Sequence, residues 1–267
     1  MDRTDAKKTK LFSVRNTIFI ICEALLYITF MYTDIVNSNL HMPTNSFTDS
    51  INSSQLFSSG HLKYYSIIIC LGFAIFCLIK LRNRTTILMT CAFLFTVIAD
   101  FFLLLHSDNL LPGIAAFCVV HFIYLLVIKN GSLKSAIFPT LIRVGIAAAL
   151  TFLLVHFRII DIPKDSSTDA VIFLSIFYAA SFIGNIIRLG IDKNGCAFDR
   201  PSLFLLGLVL FLLCDLNVLI YNLGSFISIK SDFYQNIRSI SEILMWGFYL
   251  PSQVIIALSA CSPKNQH

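Results

Sequence analysis

Eight long apolar runs divide the chain. They cover Asn16–Tyr32, Tyr64–Ile79, Thr85–Leu105, Leu110–Ile128, Ala136–Phe157, Asp169–Leu189, Ser202–Asn222 and Ile237–Ala260. Each is about twenty residues, enough for a helix to cross roughly 30 Å of hydrocarbon. The pattern predicts an all-α bundle of about eight transmembrane helices, forming one integral-membrane domain over residues 1–267. Short polar connections make neighbouring spans antiparallel. The exception is the Asn- and Ser-rich stretch from Asp34 to Leu62, which contains the acceptor triplet Asn52-Ser53-Ser54. Residues 1–15 form a basic tail. The first run carries Glu23 and is not followed by a small-x-small cleavage site, so it reads as a retained helix and not a signal peptide.

Polar residues inside the runs fall at helical spacing. A side chain that cannot face lipid should turn toward protein, and its polar neighbours then recur three, four or seven positions on. Glu23, Tyr27 and Asp34 form one such stripe, and Gly113, Phe117, His121 and Tyr124 a second. Tyr178, Ser181, Asn185 and Arg188 form a third, Asp215 and Asn222 a fourth, and Glu242, Tyr249 and Gln253, with Trp246 beside them, a fifth. Together they predict a polar cavity inside the bundle. Interhelical hydrogen bonding accounts equally well for single members such as Ser181 or Asn185. It accounts less well for two aspartates, because Asn or Ser would form the same bonds at lower desolvation cost.

Asp100 and Asp215 occupy equivalent places in the third and seventh runs. By helix rise they lie about 22 and about 20 Å from the starts of their spans. They therefore share a depth, and the hairpin bearing Asp100 and His121 would face the Asp215 span. Two carboxyls sharing a low-dielectric site cannot both ionise cheaply, so one keeps a proton while the other is charged. That is a route to a general acid and a general base in one site. His121, one turn from Tyr124, would orient a carboxyl or shuttle a proton, or simply bond two helices.

Composition and charge agree with the pattern. The chain is 57% hydrophobic and 13% charged, against about half and about a quarter for a soluble domain. Lys and Arg are concentrated near one set of span ends, which predicts both termini in the cytoplasm. Arg143, inside the fifth run, is expected to snorkel toward the headgroups. Most of the eight cysteines lie in apolar runs and no CxxC occurs, so they read as packing residues and not as a disulfide frame. No GxSxG, HExxH or GK[ST] motif is present, and no basic patch interleaved with aromatics suggests nucleic acid. His106, His121 and His156 are too scattered for metal-ligand spacing, so no metal or other cofactor is expected. Nothing in the pattern sets an oligomeric state.

Four segments resemble the YhhN family of eight-span membrane proteins, whose animal members include lysoplasmalogenases. Ala99-Asp100-Phe101-Phe102-Leu103-Leu104 is similar to the family's aromatic-rich segment ending in Gly-Asp and aliphatics. Gly113, Phe117, His121 and Tyr124 meet its Gly-x3-Phe-x3-His-x2-Tyr in full. Gly207, Phe211, Cys214 and Asp215 resemble its Gly-x3-Phe-x2-Ser-Asp, and Tyr249 and Gln253 its Tyr-x3-Gln. The departures are Ala99 for Gly and Cys214 for Ser. The resemblance implies hydrolysis of the vinyl-ether bond of a lysoplasmalogen-like lysophospholipid. Asp100 and Asp215 would be the catalytic pair, with His121, Tyr124, Asn185, Tyr249 and Gln253 in support. Such chemistry takes a membrane lipid as its partner and needs no cofactor. The same buried carboxylates would also serve a proton-coupled small-molecule or lipid transporter, and polar stripes that only pack would suit a receptor or structural protein.

Overall fold

The computed structural model describes residues 3–37, 58–106, 110–157, 166–226 and 232–261. Eight helices account for them: α1 Arg3–Asn37, α2 Ser59–Leu81, α3 Arg84–Asp100, α4 Leu110–Ile128, α5 Leu133–His156, α6 Ser166–Ile191, α7 Pro201–Phe226 and α8 Asp232–Ala260. Among the described residues there is no strand. All eight helices are long and apolar enough to span a membrane. The chain is an integral, multi-pass membrane protein. The spans extend a few residues beyond each apolar run at most ends, because helices continue into the flanking polar residues. The Asn52-Ser53-Ser54 triplet lies outside the described residues.

Six helices close a ring in the order α2, α3, α4, α6, α7, α8 and back to α2, with α7 and α8 the most extensively packed pair. Helix α1 lies in the groove between α2 and α8, and α5 stands outside against α6. Lipid offers apolar surface as readily as another helix does, so close backbone approach must hold the ring together. Two motif glycines provide it. A Cβ at Gly113 on α4 would sit 2.8 Å from Leu103 Cγ and 3.2 Å from the Ala99 carbonyl. A Cβ at Gly207 on α7 would sit 2.7 Å from Ile256 Cγ1 and 3.3 Å from the Ser252 carbonyl of α8.

Local chemistry sets the ends of α3 and α4. Asn83 caps α3, its side chain accepting from the Thr86 N–H at 2.9 Å while Thr86 returns the bond to the Asn83 N–H. At its other end α3 passes directly into a π-helical turn, Phe101–Leu105, that begins just after Asp100. Such widened turns are rare and often mark functional positions. Helix α4 ends at Asn130 and Gly131, both at positive φ, with the Gly131 N–H bonded to the Leu126 carbonyl at 2.7 Å.

Pro251 interrupts α8 and leaves the carbonyl of Gly247 without its usual intrahelical donor. Tyr27 of α1 supplies the replacement, its hydroxyl donating to that carbonyl at 3.3 Å. Irregular backbone at membrane depth is tolerated where neighbouring helices satisfy it in this way.

The packing role expected of the cysteines needs one correction. Cys77 of α2 and Cys261, just past α8, are paired as a disulfide, with Cα atoms 5.6 Å apart. The two lie 184 residues apart in the chain, and no spacing rule connects cysteines at that distance. In a reducing compartment the same geometry holds two adjacent thiols. The other six cysteines are free.

Candidate active site inside the helical ring

Asp100 sits at the last α-helical position of α3 and is 4% exposed. One of its oxygens accepts a hydrogen bond from the Tyr249 hydroxyl of α8 at 2.7 Å. Asp215 of α7 is partly buried and accepts from the Tyr178 hydroxyl of α6 at 2.5 Å. Each carboxyl is thus held by a tyrosine from a different helix, so four ring helices converge on two matched pairs. The two tyrosines are linked through other rings: Tyr249 lies 5.4 Å from Phe211, Phe211 5.8 Å from His121, and His121 4.9 Å from Tyr178. The two pairs therefore flank one aromatic cluster.

Aromatic rings fill the space between them. Phe211 stands one turn before Asp215 and contacts Tyr249, His121, Phe117 and Phe182, with ring centroids 5.0 to 5.8 Å away. The His121 ring packs on Phe182 at 4.2 Å and Tyr178 at 4.9 Å. Tyr124 meets His121 edge-on at 5.6 Å. Such edge-on and offset contacts are the favoured aromatic geometries. The interior is thus a packed aromatic and polar cluster in place of the open polar cavity that the stripes suggested.

Several polar atoms in this cluster have no partner among protein atoms. They are both ring nitrogens of His121, the Tyr124 hydroxyl oxygen, Oδ1 of Asn185 and Oε1 of Gln253. Asn185 is otherwise engaged, its amide donating to the His121 carbonyl at 2.8 Å and so tying α6 to α4. Gln253, one turn past Tyr249, reaches Ser252 Oγ at 3.4 Å. Buried polar groups are normally satisfied. A cluster of unmet donors and acceptors beside two carboxyls is the arrangement expected of a site that takes a polar guest.

The stripes hold at their centres and fail at their ends. Glu23, His121, Tyr124, Ser181, Asn185, Tyr249 and Gln253 are buried. Arg188, Asn222 and Glu242 are exposed, and the Asn222 amide folds back onto the Val218 carbonyl at 2.8 Å. Asp34 pairs with Lys63 at 2.7 Å and Ser59 at 2.5 Å, and the Lys63 ammonium sits over Trp246 at 4.7 Å. Arg188 and Asn222 lie within about a turn of their helix ends, while Glu242 faces outward from within α8.

Neither Tyr178 nor Phe211, both in the cluster, is given a role in the site by the sequence pattern. Tyr178 stood in a stripe but carried no assigned role, although its spacing from Asn185 placed it on the same face. Phe211 is the aromatic hub. Glu23 of α1 is 2% exposed, accepts from Cys70 Sγ at 3.5 Å and leaves its second oxygen unpartnered. Among the described residues no three His, Cys, Asp or Glu side chains come together as a metal centre.

The ordered motifs on α3, α4, α7 and α8 thus meet in one cluster, and the family comparison covers the same helices. Residues 61–260 match the YhhN family, a span from the start of α2 to the end of α8. No curated protein and no solved structure matches the chain. With three quarters of its length matched, the chain belongs to the YhhN family of membrane proteins.

Proposed function

We propose that the protein is an integral-membrane lipid hydrolase that cleaves the vinyl-ether bond of a lysoplasmalogen-like lysophospholipid, using Asp100 and Asp215. The observation that carries this reading is the pair of tyrosine-held carboxyls from separate helices, whose tyrosines meet through Phe211 and His121. Family membership supports the substrate class.

The chemistry follows from the substrate. A vinyl ether is protonated at the carbon remote from oxygen, which leaves an oxocarbenium ion. The carboxyl that retains its proton delivers it. The ionised carboxyl stabilises the cation and accepts a proton from the water that attacks the cationic carbon. The hemiacetal so formed gives its hydroxyl proton to the carboxyl that first acted as acid, while the glycerol oxygen leaves with the proton held by the other carboxyl, which restores both groups. The products are a fatty aldehyde and a glycerophospho-alcohol, and the net reaction consumes one water. Tyr249 and Tyr178 fix the two carboxyls, while His121, Tyr124, Asn185 and Gln253 offer free polar atoms for water and the glycerol backbone.

The test uses purified protein in lipid vesicles with a 1-alkenyl lysophospholipid, following aldehyde release. Asp100→Asn and Asp215→Asn should each lower turnover by at least about a hundredfold while the protein stays folded. Full turnover in a well-folded Asp100→Asn protein would remove Asp100 from the mechanism. Transport of intact lipid driven by a pH gradient, with no aldehyde formed, would replace the hydrolase with a carrier.

A further inference from the structure

A second feature lies one to two turns past His121 along α4, toward the end of the helix. A cavity of about 300 Å³ opens between α4, α5 and α6 near the end of the bundle that is rich in Lys and Arg. Its walls include Lys129, Arg143 and Arg188 among apolar residues such as Leu125 and Ile187. Arg143 is the unusual member. Its Cα lies about 15 Å along α5 from the helix start, well inside the span. Yet the side chain does not extend into lipid, being 8% exposed and tucked against α6. A Cβ at Gly184 would lie 2.7 Å from its terminal nitrogen Nη2, so that glycine leaves the notch in which the guanidinium sits.

Charge in the groove is unbalanced. Arg188 faces Asp192 at 3.7 Å, and Asp192 also offsets part of the field at Lys129. No acidic side chain lies within ion-pair distance of Arg143 among the described residues, whose only ion pairs are Lys63–Asp34 and Arg188–Asp192. A guanidinium does not lose its proton in proteins, and an unpaired buried cation is costly. Snorkelling to the headgroups explains the direction of the side chain but not its burial or its notch.

We propose that this groove is a binding site for a phosphate group, held by Arg143 with Lys129 and Arg188, with a phospholipid as its source. The planar fork of arginine matches phosphate oxygens in bidentate fashion, and the two flanking cations add charge. Leu125 and Ile187 offer an apolar wall for the chain that a phospholipid carries and inorganic phosphate lacks. The assignment is independent of the hydrolase reading.

The full-length protein in detergent is titrated with dioleoylphosphatidic acid, dioleoylglycerol or inorganic phosphate, and bound lipid is counted by native mass spectrometry. Phosphatidic acid should bind with about tenfold lower affinity to Arg143→Gln than to the unaltered protein, and Arg143→Lys, which keeps the charge and loses the fork, should fall between the two. Gly184→Ala, which displaces the guanidinium and leaves its charge, should weaken binding about threefold or more. The surface pair Lys129→Gln with Arg188→Gln should do the same, and it decides the matter if Arg143→Gln fails to fold. Equal binding of phosphatidic acid to the unaltered protein and to these variants overturns the site. Dioleoylglycerol binding as tightly as phosphatidic acid overturns the role of phosphate. Displacement of the lipid by an equal concentration of inorganic phosphate overturns the phospholipid as source.

Discussion

Helices α4 and α5 are joined by a short turn, are similarly apolar, and each carries one ionisable residue in mid-span. Their environments differ sharply. In α4, 61% of the membrane-spanning window is buried; in α5 the share is 11%. His121 on α4 stands in the aromatic heart of the ring, whereas Arg143 on α5 stands at its edge in a notch of α6. Hydropathy marks both as spans and does not tell them apart. Small and polar residues do. Helix α4 offers Gly113, His121 and Tyr124 on one side to its neighbours, while α5 presents Phe138, Leu141 and Phe152 outward. A membrane helix is drawn into the bundle by what it can pack or bond, because burying apolar surface alone gains nothing over lipid.

That contrast can be tested, starting at the hub. Phe211→Ala opens a hole beside His121 and Tyr249 and should cost about 3 kcal/mol in unfolding from detergent micelles. A loss below a third of that would mean the cluster repacks freely. Gly113→Val drives a side chain into Leu103 and the Ala99 carbonyl, and about 1–3 kcal/mol should be lost in the same assay. It should also lower turnover, since Ala99 precedes Asp100. Tyr27→Phe removes the donor to the carbonyl freed by Pro251 and should cost about 0.6 kcal/mol, typical of interhelical bonds in membranes. Phe138→Ala, on the outer face of α5, should change stability by less than about 0.5 kcal/mol. If Phe138→Ala proved as damaging as Phe211→Ala, α5 would have a protein partner on its outer face, and the comparison would need redrawing.

Much of this organisation is legible in the order of residues. Span positions follow from run length, because no other structure satisfies the backbone across hydrocarbon. Asp100 and Asp215 stand out because a carboxylate among Phe and Leu is costly, and equal depth along two spans links them. The partners of the aspartates were harder to see. A tyrosine in a membrane helix serves many purposes, so nothing about Tyr178 announces that its hydroxyl meets Asp215. The outer ends of the stripes misled for the opposite reason: at Asn222 and Glu242 helical periodicity continues while the need to face inward has lapsed. The π-helical turn after Asp100 and the Cys77–Cys261 pair have no local signature, since both follow from how distant helices meet.

The bond from Tyr27 to Gly247 has a bearing on how the protein is made. Helix α1 leaves the ribosome long before α8, and the carbonyl it serves is 220 residues further on. At about 5–20 residues per second, α1 waits on the order of ten to forty seconds for its partner. Until then Tyr27, and Phe30, which later meets Trp246 edge-on, must find other company in the membrane. The seat of α1 is therefore completed only when α8 arrives. A ribosome stalled before α8 would leave seven inserted spans, an Asp100 without its tyrosine and a ring without its closing member.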